Sequence, residues 1–521
     1  MTAPNLNFNL QDASVIPQPL PFGIIALQGE TLRGEAGKPV LVRSTTEFIR
    51  KLGGNHPDSV FPQLCMRLLD AGISGIWVTR AHHYTDVNDK NTAEGTKATI
   101  TLTDAPNSAV FTAKGVGPGY NGIVINVTAA QSGNANQVDI GVVIPGQDEV
   151  FVRDIPENPT GADLVGLNNQ LADIEVGTIT NLIPIGSATL AGGVQTIADI
   201  IDTDYVGSSV GETGWHSLNN VDDATRIANI HRPDPDIDIG LAQYCEQRLA
   251  AGFPIAFYIG VPAGSNGDGW QDYRLGTGAF SHTPIDSWLG VLVGGHLEVK
   301  DPRAAGAEYL VSGAADVLPL LAETEGTIGR WRSSAGYKRG RVKSPSLGLE
   351  YNIGSPANIG VFNTVYPDGI NAIVKENNRV MYWGNRTLTL NKTSILSKAN
   401  VAEYVIDAIN TLRPLILTEL FEPNDPITWL QIYNNVRTTI KERYADGRAI
   451  RPIEDQDWFW IGDQYVTDYR EAKFNELSDL DNGIYKVRFI SVPIAAIEQI
   501  AIDFTVTDSN SLDVQVNLAT T

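Results

Sequence analysis

The feature that most constrains this chain is a set of short, unbroken apolar runs separated by helical patterns. GIIALQG (23–29), GIWVTR (75–80), FPIAFYIGVP (253–262) and the region DSWLGVLVGGHLEV (286–299) lack the alternation of a half-wet strand. Strands apolar on both faces must be covered on both faces, and a parallel sheet between helices is the economical solution. The intervening segments fit that role. STTEFIRKLGG (44–54) reads as a capped helix ending on Gly53 and Gly54. DSVFPQLCMRLLDAG (58–72) is a second helix, with Asp58 or Ser59 as the expected N-cap and Val60, Phe61, Leu64, Cys65, Leu68 and Leu69 on its apolar face. GLAQYCEQRLAAG (240–252) is a third.

Between the α/β stretches the pattern changes. TKATITLTD, AVFTAKG, NGIVINVTAA, QVDIGVVIPG and EVFVRDI are short strands punctuated by Gly, Asn, Pro and Asp, followed by one helix in 161–174. This spacing predicts a small β-sandwich or barrel. Farther on, 398–421 and 427–447 are amphipathic helices broken at EPNDP. Tyr485, Val487 and Phe489 then share one face of a strand at 484–492, and Ile500, Ile502, Phe504 and Val506 share one of a strand at 498–507.

Both termini are also written as strands. Leu6, Phe8 and Leu10 alternate with asparagines, and Leu512, Val514, Val516 and Leu518 alternate with polar residues. The three prolines of VIPQPLPFG make an extended linker after the first.

Composition narrows the function classes. A net charge of −22, with no basic run, repels nucleic acid and anionic lipid. The two cysteines, Cys65 and Cys245, lie in apolar helical stretches and read as buried thiols, not a disulfide framework. The N-terminus lacks the basic and apolar regions of a signal peptide, the apolar runs are too short to span a bilayer, and the expected site of synthesis and folding is the cytoplasm.

The search for chemistry yields little. Gly117, Gly119 and Gly122 match G-x-G-x-x-G but run into a strand, not the helix that a pyrophosphate site requires, so a turn is expected. His82 and His83 are adjacent, point opposite ways on an extended chain, and are expected at the surface or in a linker. Ser281–His282 lacks a nucleophile elbow. No catalytic residue, cofactor or metal site is expected.

Taken in order, several blocks give the chain a family likeness. PFGIIALQGETLRGEAGKPVLVRSTTEFIRKLGG, GIWVTR, GPGYNGIVINV, TLAGG, GGHLEVKDP, GTIGRWRSSAG, GINAIVKENNRVMYWGNRTL (with Asn371, Trp383, Gly384, Arg386 and Thr387), LFEPNDPITWLQIYNNVRTTIKERYADGRA and GIYKVRFISVPIAAIEQIAIDF resemble, in sequence order, the tail sheath proteins of contractile bacteriophages and related injection machines. The resemblance spans about residues 20–507. YLVSGAADVLPLLAE departs from it by lacking a Pro-Pro-Ser step, and 200–225 does not match.

The resemblance implies a multidomain α/β protein, α+β overall. It comprises an N-terminal arm and linker (1–20), the first part of an α/β domain (21–92), an inserted β-rich domain (93–180), a subtilisin-like α/β domain serving only as scaffold (181–385), a C-terminal α+β domain (386–507) and a C-terminal arm (508–521). It further implies that Leu6, Phe8, Leu10, Leu512, Val514, Val516 and Leu518 are donated to a neighbouring subunit, where Tyr485, Val487, Phe489, Ile500, Ile502 and Phe504 form the receiving sheet. The implied partners are further copies in stacked hexameric rings, a tail tube protein, and baseplate and tail terminator proteins, with no direct nucleic acid and no membrane insertion. The implied location is the virion, in a contractile tail assembled in the bacterial cytoplasm. Arg437, Lys441 and Arg443 cluster at a helix end, where two roles fit: pairing with acidic groups on the tube, or complementing the helix dipole. The alternatives are the sheath of a DNA-free phage-like particle, a static strand-swapped structural protein, and a hydrolase on the central α/β domain.

Overall fold

A computed structural model describes residues 23–171, 173–304, 306–353, 360–376, 379–451, 459–462, 482–485 and 488–498. Both expected arms, Val487, and Ile500, Ile502 and Phe504 of the expected strand 498–507 lie outside the described residues.

The apolar runs build one eight-stranded sheet. Its spatial order is Arg379–Trp383, Ile370–Glu376, Gly290–Gly294, Ala256–Gly260, Arg226–Asn229, Ile24–Gly29, Gly75–Arg80 and Val40–Val42. The inner six strands are parallel, and the two outermost pair antiparallel with their neighbours. Every residue of Ile24–Gly29, Ala256–Gly260 and Gly290–Gly294 is buried, as two-sided coverage demands.

Local chemistry sets the helix ends. Thr45–Leu52 starts at Ser44, whose hydroxyl accepts from the Glu47 amide at 3.1 Å. It stops at Gly53, whose φ of +94° only glycine adopts without cost. The next helix, Phe61–Asp70, begins one residue later than Ser59 would place it and two later than Asp58 would: Val60 is the N-cap and supplies no side-chain bond. Ser59 still accepts from the Phe61 amide at 3.1 Å, while Pro62, inside the first turn, has no amide to satisfy.

The β-rich segment forms two antiparallel sheets around a core of its own. Lys97–Asp104, Asn107–Val116 and Ile174–Thr180 make one sheet. Gly186–Thr189, Val124–Ala129, Gln137–Val143 and Val150–Pro156 make the other, so the segment runs on past residue 180. Phe111 and Val176 from the first meet Ile125 and Ile140 from the second. Gly117, Gly119 and Gly122 form the expected turn before a strand. A Cβ on Gly119 would sit 2.3 Å from the Leu32 carbonyl oxygen, which lets this unit press against the α/β body. The two ends of the insertion are zipped together: Thr96 and Val194 exchange backbone bonds of 2.8 and 3.1 Å.

Residues 200–225, illegible in the sequence, hold the short helix Asp202–Val206 and the turn Gly214–Asn220, which bury Tyr205 and Trp215 in the main core.

At the C-terminal side, Ala399–Leu417 and Pro426–Thr439 form a helical hairpin, the second helix continuing through a wide turn at Ile440–Ala445. Asp425 of EPNDP caps the second helix, accepting from the Ile427 and Thr428 amides at 3.0 Å each. Tyr404, Leu412, Ile432, Val436, Ile440 and Tyr444 form its core. Arg488–Pro493 pairs antiparallel with Ile450–Arg451 and with Phe459–Gly462. The strand thus begins after Tyr485, which instead stacks on Trp429 with ring centroids 5.2 Å apart.

Candidate functional site: a filled crevice and an open hairpin

In an open α/β sheet, a ligand normally binds beyond the carboxyl ends of the strands where the strand order reverses. Here that point lies between Ile24–Gly29 and Arg226–Asn229. It is occupied by the protein's own side chains. Ser59 Oγ donates to Glu30 Oε2 at 2.9 Å, His231 Nε2 lies 3.1 Å from the same oxygen, and the Tyr205 hydroxyl donates to Oε1. Burial alone would raise the Glu30 pKa, but the His231 ring and the hydrogen bonds from His231 and Tyr205 hold it well below the ordinary carboxylate value. Phe61 packs over His231 at 4.8 Å. The Ser59 hydroxyl faces a carboxylate rather than a free base, so the group forms a structural knot, not an activated nucleophile.

The other candidates resolve similarly. His82 is not at the surface: it is fully buried beside Gln195, and burial holds its ring well below the usual histidine pKa. His83 points the other way, 2.9 Å from Asp204, whose hydrogen bond raises its pKa. The strand before them ends at the buried Arg80, which donates to the Val116 carbonyl at 2.8 Å and so stitches the body to the β-rich unit. The His282 ring turns to the Thr283 carbonyl at 2.7 Å. Asp202, Asp234 and Asp236 converge, but Asp202 pairs with Arg232 at 3.0 Å and Asp234 caps the helix Pro235–Ala250. Among the described residues, no helix is long and apolar enough to cross a membrane.

The C-terminal hairpin is different in kind. Arg443 is engaged internally: it donates to both Asp407 oxygens at 3.0 Å and lies over Trp331. Arg437 and Lys441 are exposed. At the hairpin tip, Leu420, Phe421, Ile427 and Leu430 turn apolar surface to solvent. Phe421 is fully exposed and held at φ +71°, a costly backbone conformation for a bulky residue. Sequence reasoning passed over this patch because it ran the helix on to residue 421, whereas the helix ends at Leu417 and leaves Leu420 and Phe421 in the connection.

A buried charge network, also unseen in the sequence, fastens the hairpin to the sheet. Glu403 on the first hairpin helix accepts from Arg226 at 2.8 Å, Arg330 at 2.8 Å and Tyr258 at 2.9 Å, and Arg226 also reaches Glu325 at 2.6 Å. Burial would raise the Glu403 pKa, but the two guanidinium charges outweigh it and lower it from 4.5 to about 2.

No family model and no curated protein sequence matches the chain. Solved structures do. A sheath tail protein of Listeria innocua superposes with a TM-score of 0.59 at 15% identity, covering 85% of this chain and 89% of that one. A sheath tail protein of Desulfitobacterium hafniense gives 0.54 at 14%, covering 94% and 100%. The sheath complex of an extracellular contractile injection system, PVC, in its contracted state, gives 0.55 at 11%, covering 98% and 99%. This is the sheath-protein fold. It runs through the α/β body, the β-rich unit and the hairpin alike, because the superposition spans nearly the whole of both chains.

Proposed function

We propose that this chain is the subunit of a contractile sheath. It polymerises helically around a tube and shortens to drive that tube through a cell envelope. The observation that carries the reading is the end-to-end likeness to contractile sheath subunits, and the filled switch point fits a scaffold rather than an enzyme. In this reading the α/β body is the subtilisin-like scaffold of the resemblance, and the β-rich unit is an outer decoration. Leu6, Phe8 and Leu10, with Leu512, Val514, Val516 and Leu518, add strands to the sheet of a neighbour that contains Arg488–Pro493. Main-chain bonds supply attachment and the alternating side chains set register. Head-to-tail donation generates an open helix instead of a closed dimer. Each donated Leu or Phe contributes about 1.5–3 kcal/mol before ordering costs. Tube contact falls to Arg437 and Lys441, since Arg443 is held by Asp407. Copies in stacked rings, a tube protein, a baseplate and a terminator are the partners, and a contractile virion tail is the location.

Likeness to the sheath of an anti-feeding prophage favours a second version, a phage-derived injection particle with the same mechanics. Negative-stain microscopy of the purified chain, beside one lacking residues 508–521, tests the common core. Tubes from the full chain and small particles from the truncation are expected. Equal polymerisation of both would remove the C-terminal strand as the linking element.

A further inference from the structure

After Arg488–Pro493 the chain runs as a strap, 494–498, across the amino end of the helix Ala399–Leu417. Ile497 is 80% exposed, so apolar burial does not hold the strap down. Polar bonds do. The Ile494 amide donates to the Ala449 carbonyl at 2.8 Å. The buried Asn400 donates to the Ile494 carbonyl at 3.0 Å and to the Trp331 carbonyl at 3.1 Å, and accepts from Asn385 at 2.8 Å and from the Ala496 amide at 3.4 Å. At the end of the strap, the Glu498 side chain, only 18% exposed, receives three donors: Arg386 at 2.8 Å, the Tyr366 hydroxyl at 2.9 Å, and Lys398. Arg386 itself lies over the Tyr366 ring at 5.2 Å.

We propose that Glu498 is a positioning residue that clips the strap to the α/β body and fixes where the C-terminal arm leaves the subunit. The second half rests on the sheath reading. Three donors from three separate places, one following the main sheet's last strand and one preceding the hairpin, converge on a single carboxylate. A pull on the chain beyond 498 therefore enters the body directly, bypassing the short strands of the C-terminal sheet. Because the hold is charge-assisted, it is sensitive to substitution by an uncharged isostere.

Hydrogen exchange on the full-length, unpolymerised chain tests the clip. Glu498→Gln should speed exchange of amides in 491–498 about tenfold, equivalent to about 1.4 kcal/mol, with Ile370–Glu376 unchanged. Unchanged exchange in 491–498 overturns the clip. If Glu498→Gln loosens Ile370–Glu376 as well, Lys398→Gln, which leaves Arg386 and Tyr366 in place, is read in its stead by the same criterion. Microscopy tests the arm: faster exchange with fewer and shorter tubes supports the positioning role, and faster exchange with wild-type polymerisation overturns it. A wild-type chain that never polymerises under any condition, a tube template included, sinks the sheath reading and leaves the clip standing.

Discussion

The inserted β-rich unit and the C-terminal region both mix helix with short strands, yet their cores close differently. In the first, two sheets close on Phe111, Ile125, Ile140 and Val176, and the apolar side chains left outside, Val150, Phe151, Val165 and Ile185, are spread over its strands, helix and loops. In the second, a small helical core is finished inside, while Leu420, Phe421, Ile427 and Ile497 face outward among the described residues. The first is self-contained and the second is held in place by the sheet through Glu403. If the chain polymerises as proposed, the uncovered side chains of the hairpin tip are the natural place for another chain to attach.

Six substitutions break or sharpen this contrast. Glu403→Gln should have the largest effect, about 3–5 kcal/mol in denaturant unfolding, because it leaves Arg226 and Arg330 buried without full counter-charge. The Glu403 pKa is depressed on folding, so its contribution is present above 4.5 and lost as pH falls toward about 2. The gap between wild type and variant should narrow over that window. Phe111→Ala should cost about 3–4 kcal/mol and loosen only the β-rich unit. If hydrogen exchange also quickens in Ile24–Gly29, that unit is not self-contained. Arg443→Ala should cost about 1–3 kcal/mol by stranding the buried Asp407 carboxylate. Arg437→Ala and Lys441→Ala should stay within about 0.5 kcal/mol, and an equal loss at all three would erase the distinction between strut and free surface. Phe421→Gly should have the opposite sign, gaining about 1 kcal/mol by relieving the left-handed backbone, while any effect on tube formation reports a role for the tip.

The parallel sheet was legible because strands buried on both faces cannot hide their composition, and Ser44 and Gly53 marked a helix on their own. Other features needed the third dimension. His82 and His83 do point opposite ways as extended neighbours must, but nothing local reveals that Asp204 and Gln195, more than a hundred residues on, come to meet them. The segment around Trp215 lacks periodicity because it is a short tight turn, so its burial left no pattern. The strand at 484–492 was placed too early because Tyr485 fits the alternation equally well whether it faces a sheet or stacks on Trp429. Of the candidate assembly residues, the alternating arms lie outside the described residues, and no sequence rule separates the engaged Arg443 from the exposed Arg437.

The zipper between Thr96 and Val194 has a consequence for how such a chain can change over time. Because the insertion leaves and rejoins the body at one point, its contents can be lengthened, shortened or exchanged without moving any strand of the sheet. A replacement must still offer Arg80 a carbonyl, keep a glycine against Leu32, and match the contacts that Tyr120 makes with the Gly34 amide and Asp173 with Arg33. In the proposed sheath, what the unit shows to its surroundings could thus drift while the α/β body beneath it stays fixed.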